Sequence, residues 1–279
     1  MTKIDLSDVI EMATCSDPGQ VRTNNEDSVL ANPQLGLAVL ADGMGGYNAG
    51  EVASSMATAV LGCELEHAFE IHPPHQLSGD GRTWANAALI DRVAKTNAAI
   101  YHAAISNTKY NGMGTTLVMV QFFDNRMAVA HIGDSRLYRL RDGELSQVTH
   151  DHSLLQEQID SGLITPEQAR FSQNKNLVTR AMGVDADVDT ELAEHAVLPG
   201  DIYLLCSDGL NDMVEDEEIA LTLSSLSANL PLCAQQLVDM ANDSGGRDNV
   251  SVILVKIKQP FPAPEMTSGW KERVQSWFS

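Results

Sequence analysis

Four short acidic motifs, set far apart along the chain, carry residues able to do chemistry: ADGMGG at 41–46, HIGDSR at 131–136, CSDGL at 206–210 and a GGRDN coda at 245–249. Each places an Asp beside Gly or Asn where an apolar run ends. An apolar run of this kind reads as a buried strand, so Asp42, Asp134, Asp208 and Asp248 are expected at strand tips, where loops present functional groups on a rigid frame. Converging carboxylates would repel by about 4 kcal/mol per pair at 4 Å and an effective dielectric near 20. A cation must then fill the site. Carboxylates, a backbone carbonyl exposed by Gly and room for water suit hard ions such as Mg2+ or Mn2+. An Asp bridging two such ions holds them roughly 3.5–4 Å apart, the spacing that readies a bound water for attack. Phosphate-ester hydrolysis is the natural use of that device.

The elements that must position these groups can be read from periodicity. Strands are expected at 11–16, 27–31 and 35–41, separated by DPG and NPQLG turns, and the third runs into the first Asp motif. Ala-rich stretches with apolar residues three or four apart predict two long helices, 49–69 and 83–107, joined by the Pro- and Gly-containing loop 72–81. Strands follow at 115–123, 127–132, 136–140 and 145–148, then short helices at 151–161 and 165–171 and a polar stretch at 172–176 that reads as a flap. Further strands are expected at 191–197, 202–207 and 249–257, with helices at 216–224 and 231–242 before the last. Strands that pair locally, interrupted by consecutive helices, predict an antiparallel α+β protein with one two-sheet core and helices outside. No Pro- or Ser-rich linker interrupts residues 10–258, which favours one domain. A Pro-containing spacer and a short amphipathic tail, with Trp270, Val274, Trp277 and Phe278 on one helical face, occupy 259–279.

Composition narrows the class of partner. A chain of 279 residues with 43% hydrophobic content can bury a substantial core without staples. Cys15, Cys63, Cys206 and Cys233 form no CxxC pair, arguing against a zinc site or a disulfide framework and for reduced thiols in a cytoplasmic protein. The first residues lack the apolar segment of a signal peptide, and no run is long enough to insert in a membrane. A formal charge of -20 opposes the field of nucleic acid and of anionic membrane.

The motifs VRTNNED at 21–27, ADGMGG, GMGTT at 112–116, HIGDSR, CSDGL and RDN at 247–249 stand in the order found in the metal-dependent Ser/Thr protein phosphatases of type 2C. The chain resembles the stand-alone bacterial members over about residues 11–258, and six ordered motifs make the likeness specific where one Asp-Gly pair would mark only a turn. The resemblance implies a four-layer sandwich, two central antiparallel β-sheets flanked by helices on both sides, as a catalytic domain over 1–258 with a flap at about 151–180. It implies two Mn2+ or Mg2+ ions, with Asp42 bridging, Gly43 offering its carbonyl, and Asp208 and Asp248 completing one shell. Asp134 would hold a third, weaker ion together with Asp208. Glu26 and Asp27 would hold waters on the metals, Arg22 would grip the substrate phosphate through a two-pronged fork, and Asn249 would steady Asp248. Met44 stands where some relatives carry a His proposed as general acid, and Tyr47 where others carry one. The acid is therefore unassigned.

The expected activity is removal of phosphate from phosphorylated Ser and Thr of protein substrates, opposing a cognate Ser/Thr kinase. A catalytically silent phosphoprotein-binding regulator is the rival from another class, and intact Asp42, Asp208 and Asp248 speak against it. A calcium-binding structural module is a weaker alternative, because the acids are dispersed rather than packed in one loop. His131, His150 and His152 flank the motifs but are read as satisfied structural residues. Cys206 is read as a buried strand residue, since no phosphate-binding arginine follows it closely.

Overall fold

The computed structural model describes residues 5–46, 49–169 and 177–262. Two antiparallel sheets form its centre. One takes β1 (Ile10–Asp17), β7 (Arg136–Arg141), β8 (Glu144–Gln147), β10 (Ile202–Cys206) and β11 (Val250–Ile257) in the order β1-β11-β10-β7-β8. The other takes β2 (Asp27–Asn32), β3 (Leu37–Met44), β5 (Leu117–Phe123), β6 (Arg126–Ile132) and β9 (Glu191–Ala196) in the order β2-β3-β5-β6-β9, with the short β4 (Gly114–Thr115) pairing β3.

Both faces of the central strands are covered, which is why their sequences run apolar rather than alternating. Leu40, Val118, Val120 and Phe122 of one sheet meet Leu137, Tyr203, Leu205 and Ile253 of the other in a buried layer between them. The intervening residues Val39, Ala41 and Met119 turn the opposite way, onto α1 (Ala49–Ile71) and α2 (Trp84–Ser106). Leu204, Cys206, Val252 and Leu254 likewise face α6 (Asp216–Ser225) and α7 (Leu230–Asp243). The result is the expected four layers. Small residues let α1 lie close to its sheet: Ala49, Ala53 and Ala57 repeat every four residues and continue into Leu61 and Leu65, all fully buried.

Departures from the periodicity have local causes. The helix expected from 151 begins only at Leu154, as α3 (Leu154–Asp160), because Asp151 and His152 are buried in other hydrogen bonds and Ser153 caps the helix by accepting from the Gln156 N–H. The expected helix at 165–171 is seen as α4 (Pro166–Ala169), and 170–171 lie outside the described residues. A single helical turn, α5 (Asp208–Asn211), was not anticipated; four residues carry no periodic signal. The polar flap stretch 172–176, Tyr47 and the tail from 263 onward also lie outside the described residues.

Phe122 and Tyr203 lock the two sheets edge to face, with ring centroids 5.4 Å apart. Phe122→Ala is expected to cost about 3–5 kcal/mol of unfolding free energy in a urea titration, through a cavity between the sheets. A loss below about 1 kcal/mol would show that this layer does not hold the sheets together.

Candidate active site

Strand register brings the acidic residues together. Asp27 on β2 lies directly opposite Asp42 on β3, so both side chains share one face at adjacent strand ends. The last residue of β10, Cys206, pairs on one side with Arg136 and on the other with Val252. The chain therefore leaves this sheet toward Asp208 at the same end where the Asp134 turn enters β7 and Asp248 precedes β11. Asp42 is pinned by its neighbours: its N–H donates to Thr116 Oγ1 (3.0 Å), and its carbonyl accepts from Thr115 Oγ1 (2.8 Å) and the Thr116 N–H (2.8 Å). Gly43 must be Gly, because a Cβ there would meet the Gly50 carbonyl oxygen at 2.2 Å and that of Glu26 at 2.6 Å.

One cavity of about 230 Å³ is lined by Arg22, Glu26, Asp42, Gly43, Asp134, Asp208, Asp248 and Asn249, with Met44 and Val178 also on its wall. Asp27 lies beside Asp42; its Oδ2 accepts from Ser207 Oγ (2.9 Å). A second, acidic cavity of about 330 Å³ shares Asp134 and Asp208 and opens between α3 and the start of α6. Every residue expected at the site is thus at this centre or in contact with it. Asn249 is the junction: its Oδ1 accepts from the Glu26 N–H (2.8 Å), its Nδ2 donates to the carbonyls of Pro18 (3.0 Å) and Asn24 (2.9 Å), and its own N–H donates to Asp248 Oδ1 (2.9 Å). Arg22, half-exposed at the rim, pairs with Asp248 through an Nη2 to Oδ2 contact of 2.7 Å.

The electrostatics call for a counter-charge. Burial first, and neighbouring carboxylates second, push Asp42 and Asp208 well above the usual carboxylate range. Burial likewise raises Asp27 and Asp134 to about 6. Asp27 Oδ1 is buried and accepts no hydrogen bond. An all-oxygen set that repels itself and leaves an orphaned acceptor fits a hard divalent cation.

A different cluster fits one poorly. His131, His152 and Glu191 place ligand atoms within 4.8 Å of one another. However, His131 Nε2 faces the His150 carbonyl oxygen (2.9 Å), and His152 Nδ1 accepts from the Gly133 N–H (3.1 Å). That second bond leaves the His152 proton on Nε2, toward Glu191 Oε2 (3.2 Å), where a metal would need a lone pair. Arg180 Nη1 stands 3.5 Å from the same nitrogen. These histidines are structural. Cys206 is fully buried and its thiol is pushed up to about 12, chiefly by burial, which removes it as a nucleophile. Thr115, Thr116 and Ser207, which lie within the motifs GMGTT and CSDGL but were given no role there, also act on the site.

Comparison with known proteins agrees with this geometry. A family model described as protein phosphatase 2C matches residues 20–242. The serine/threonine protein phosphatase PstP of Mycobacterium tuberculosis is 41% identical over 251 residues, covering 89% of this chain and 45% of PstP, so the chain spans about half the length of that relative. Protein phosphatase PhpP of Streptococcus pneumoniae is 35% identical over 255 residues, covering 90% of this chain and 98% of PhpP. The crystal structure of the M. tuberculosis PstP/Ppp phosphatase superposes with a TM-score of 0.81 at 40% identity, covering 90% of this chain and all (100%) of that one. A structure of the PstP catalytic domain in complex with 2 manganese ions gives 0.78 at 40% identity, covering 90% and 99%.

The raised carboxylates fix the sign of a pH effect. In the metal-free chain the folded state holds protons that the unfolded state releases, so this contribution to stability is present below the usual carboxylate range and lost as pH rises through about 6. Divalent cations replace those protons. The rise in Tm on adding Mn2+ is therefore expected to be small near about pH 5 and much larger near about pH 7.5. Thermal unfolding with and without Mn2+ across that range checks this, and a shift of equal size at both ends would contradict it.

Proposed function

This chain belongs to the protein phosphatase 2C family, and from that premise we propose that it is a Mn2+- or Mg2+-dependent protein serine/threonine phosphatase. The observation that carries the proposal is a cavity walled by Asp42, Asp134, Asp208 and Asp248 with the Arg22 guanidinium at its rim. Asp42, Asp208, Asp248 and the Gly43 carbonyl would hold two ions, and Asp134 with Asp208 a third. When bound, these ions supply Lewis acidity toward the phosphoryl oxygens and toward the attacking water.

The chain's own residues do the rest. Glu26 and Asp27 orient water at the centre, and Asn249 fixes the segment carrying them by its bond to the Glu26 N–H. Arg22 grips the phosphate, exchanging its Asp248 partner for phosphoryl oxygens of the same charge sign. The exchange would be favoured because Asp248, as a cation ligand, would no longer need Arg22 as its counter-charge. Attack by water is in line and direct, without a covalent phosphoenzyme. Met44 lines the cavity and has no proton to give, so the leaving alkoxide would be met by electrostatic stabilisation or by a proton from water at the centre.

Residues 1–258 form the catalytic domain, 151–180 the flap that shapes access, and 259–279 a spacer and tail. Substrates are phosphorylated proteins made by a cognate Ser/Thr kinase, and the setting is the cytoplasm. No helix among the described residues is long and apolar enough to cross a membrane. A lost ligand is the expected mark of a silent regulator, and the presence of Asp42, Asp208 and Asp248 speaks against that reading.

Release of inorganic phosphate from phosphoserine and phosphothreonine peptides is expected with Mn2+ and not with excess chelator. Asp42→Asn should abolish it. Arg22→Ala should lower kcat/KM roughly 10- to 100-fold, the equivalent of about 1.5–3 kcal/mol of charged hydrogen bonding. Binding of Mn2+ without turnover would favour the silent regulator, and turnover in chelator would remove the metal from the mechanism.

A further inference from the structure

The Asp134 carboxylate has reason to swing out into water. It sits on a turn rather than within a strand, and Asp208, Asp151 and Asp212 all bear on it with like charge. Gly133 lets the chain turn here: its φ is +100°, a region closed to most residues, and a Cβ there would meet Thr116 at 2.8 Å. Yet Asp134 is buried, so something holds it in.

Two consecutive residues from another segment do so, one on each side. His152 grips Gly133, the residue before Asp134, twice: its N–H donates to the Gly133 carbonyl (3.0 Å), and its Nδ1 accepts from the Gly133 N–H (3.1 Å). Asp151 grips Arg136, two residues after Asp134. Arg136 Nε donates to both carboxylate oxygens (3.0 Å each) and Nη2 to Oδ2 (2.7 Å). Both gripping residues are buried. The His152 ring stacks on His131 with centroids 4.7 Å apart, and its Nε2 donates to Glu191 Oε2 (3.2 Å), so the tautomer with a free Nδ1 is fixed.

The same two residues open the flap segment. The His152 carbonyl accepts from the Thr179 N–H (2.8 Å), the Leu154 N–H donates to the Leu177 carbonyl (2.9 Å), and Val178 between them lines the catalytic cavity. Both arms of the flap's base are thereby joined to the turn that carries Asp134.

We infer that Asp151 and His152 are positioning residues: they hold the Asp134 carboxylate inside the cation-binding centre and tie its place to the base of the flap segment. The inference rests on the proposed reading of Asp134 as a cation ligand, and the experiment separates the two. Mn2+ binding to the full chain is followed by the paramagnetic resonance of free Mn2+ in the unsubstituted protein and in Asp134→Ala, His152→Gln and His152→Asn. Asn can place its carbonyl oxygen where Nδ1 sits and accept from Gly133, whereas Gln can mimic only Nε2.

The weakest-bound Mn2+ should be lost in Asp134→Ala. Its dissociation constant should rise about tenfold or more in His152→Gln, the scale seen when a partner of a metal ligand is removed, and return toward the unsubstituted value in His152→Asn. The tighter ions should stay unchanged throughout. If Asp134→Ala loses the ion but His152→Gln binds as the unsubstituted chain does, the positioning role is wrong while the ligand role stands. If Asp134→Ala leaves all Mn2+ binding intact, the ligand role itself is wrong. Equal weakening of every ion in both His152 variants would mark general damage and overturn the inference.

Discussion

Burying several carboxylates against one another is unfavourable twice over. Each must shed its hydration, at an effective cost of several kcal/mol per ion, and each then repels its neighbours in a medium that screens poorly. A flexible polypeptide would relax by letting the acids drift into water. Here it cannot, because the ends of β2, β3, β10 and β11 are fixed by two sheets whose opposed faces exclude solvent. The repulsion that remains makes the centre a receptor for hard divalent ions: the rigid frame holds the charges together, and the cation relieves them.

That requirement explains features away from the cavity. Gly43 is squeezed between α1 and the Glu26 carbonyl, which seats the first Asp motif tightly on its helix. Thr115 and Thr116 hold the Asp42 backbone from the next strand. Asn249 binds the 18–26 loop to β11 with three side-chain hydrogen bonds, so Arg22 and Glu26 approach the carboxylates from a loop that is itself anchored. Arg22 is the exception to this rigidity. It is half-exposed and held by one ion pair, which suits the phosphate-gripping role proposed for it.

Much of the architecture was legible in the sequence because it follows from burial. Strands covered on both faces, such as LVMVQFF and IYLLC, must be apolar throughout, and the four-residue spacing of Ala49, Ala53 and Ala57 is readable without knowing what it packs on. The acidic residues were legible because Asp-Gly at the end of an apolar run is unusual when it recurs in order. Asn249 apart, the roles of their supporting groups were not. Thr116 and Ser207 act through hydrogen bonds whose partners are 74 and 180 residues away, fixed by sheet register, and Thr and Ser are too common to signal that alone. Asp151 and His152 read as the start of a helix because their helix-compatible spacing was visible and their partners, Arg136 and Gly133, were not. The turn α5 has the same origin: tertiary placement, not propensity, winds Asp208 into it.

The most direct test is anomalous diffraction at the manganese edge from crystals of the full chain grown with Mn2+. Two strong peaks roughly 3.5–4 Å apart, with Asp42 touching both, are the expected result. Manganese seated instead among His131, His152 and Glu191, or no ordered ion within reach of Asp42, Asp208 and Asp248, would contradict the claim that these carboxylates are gathered to hold it.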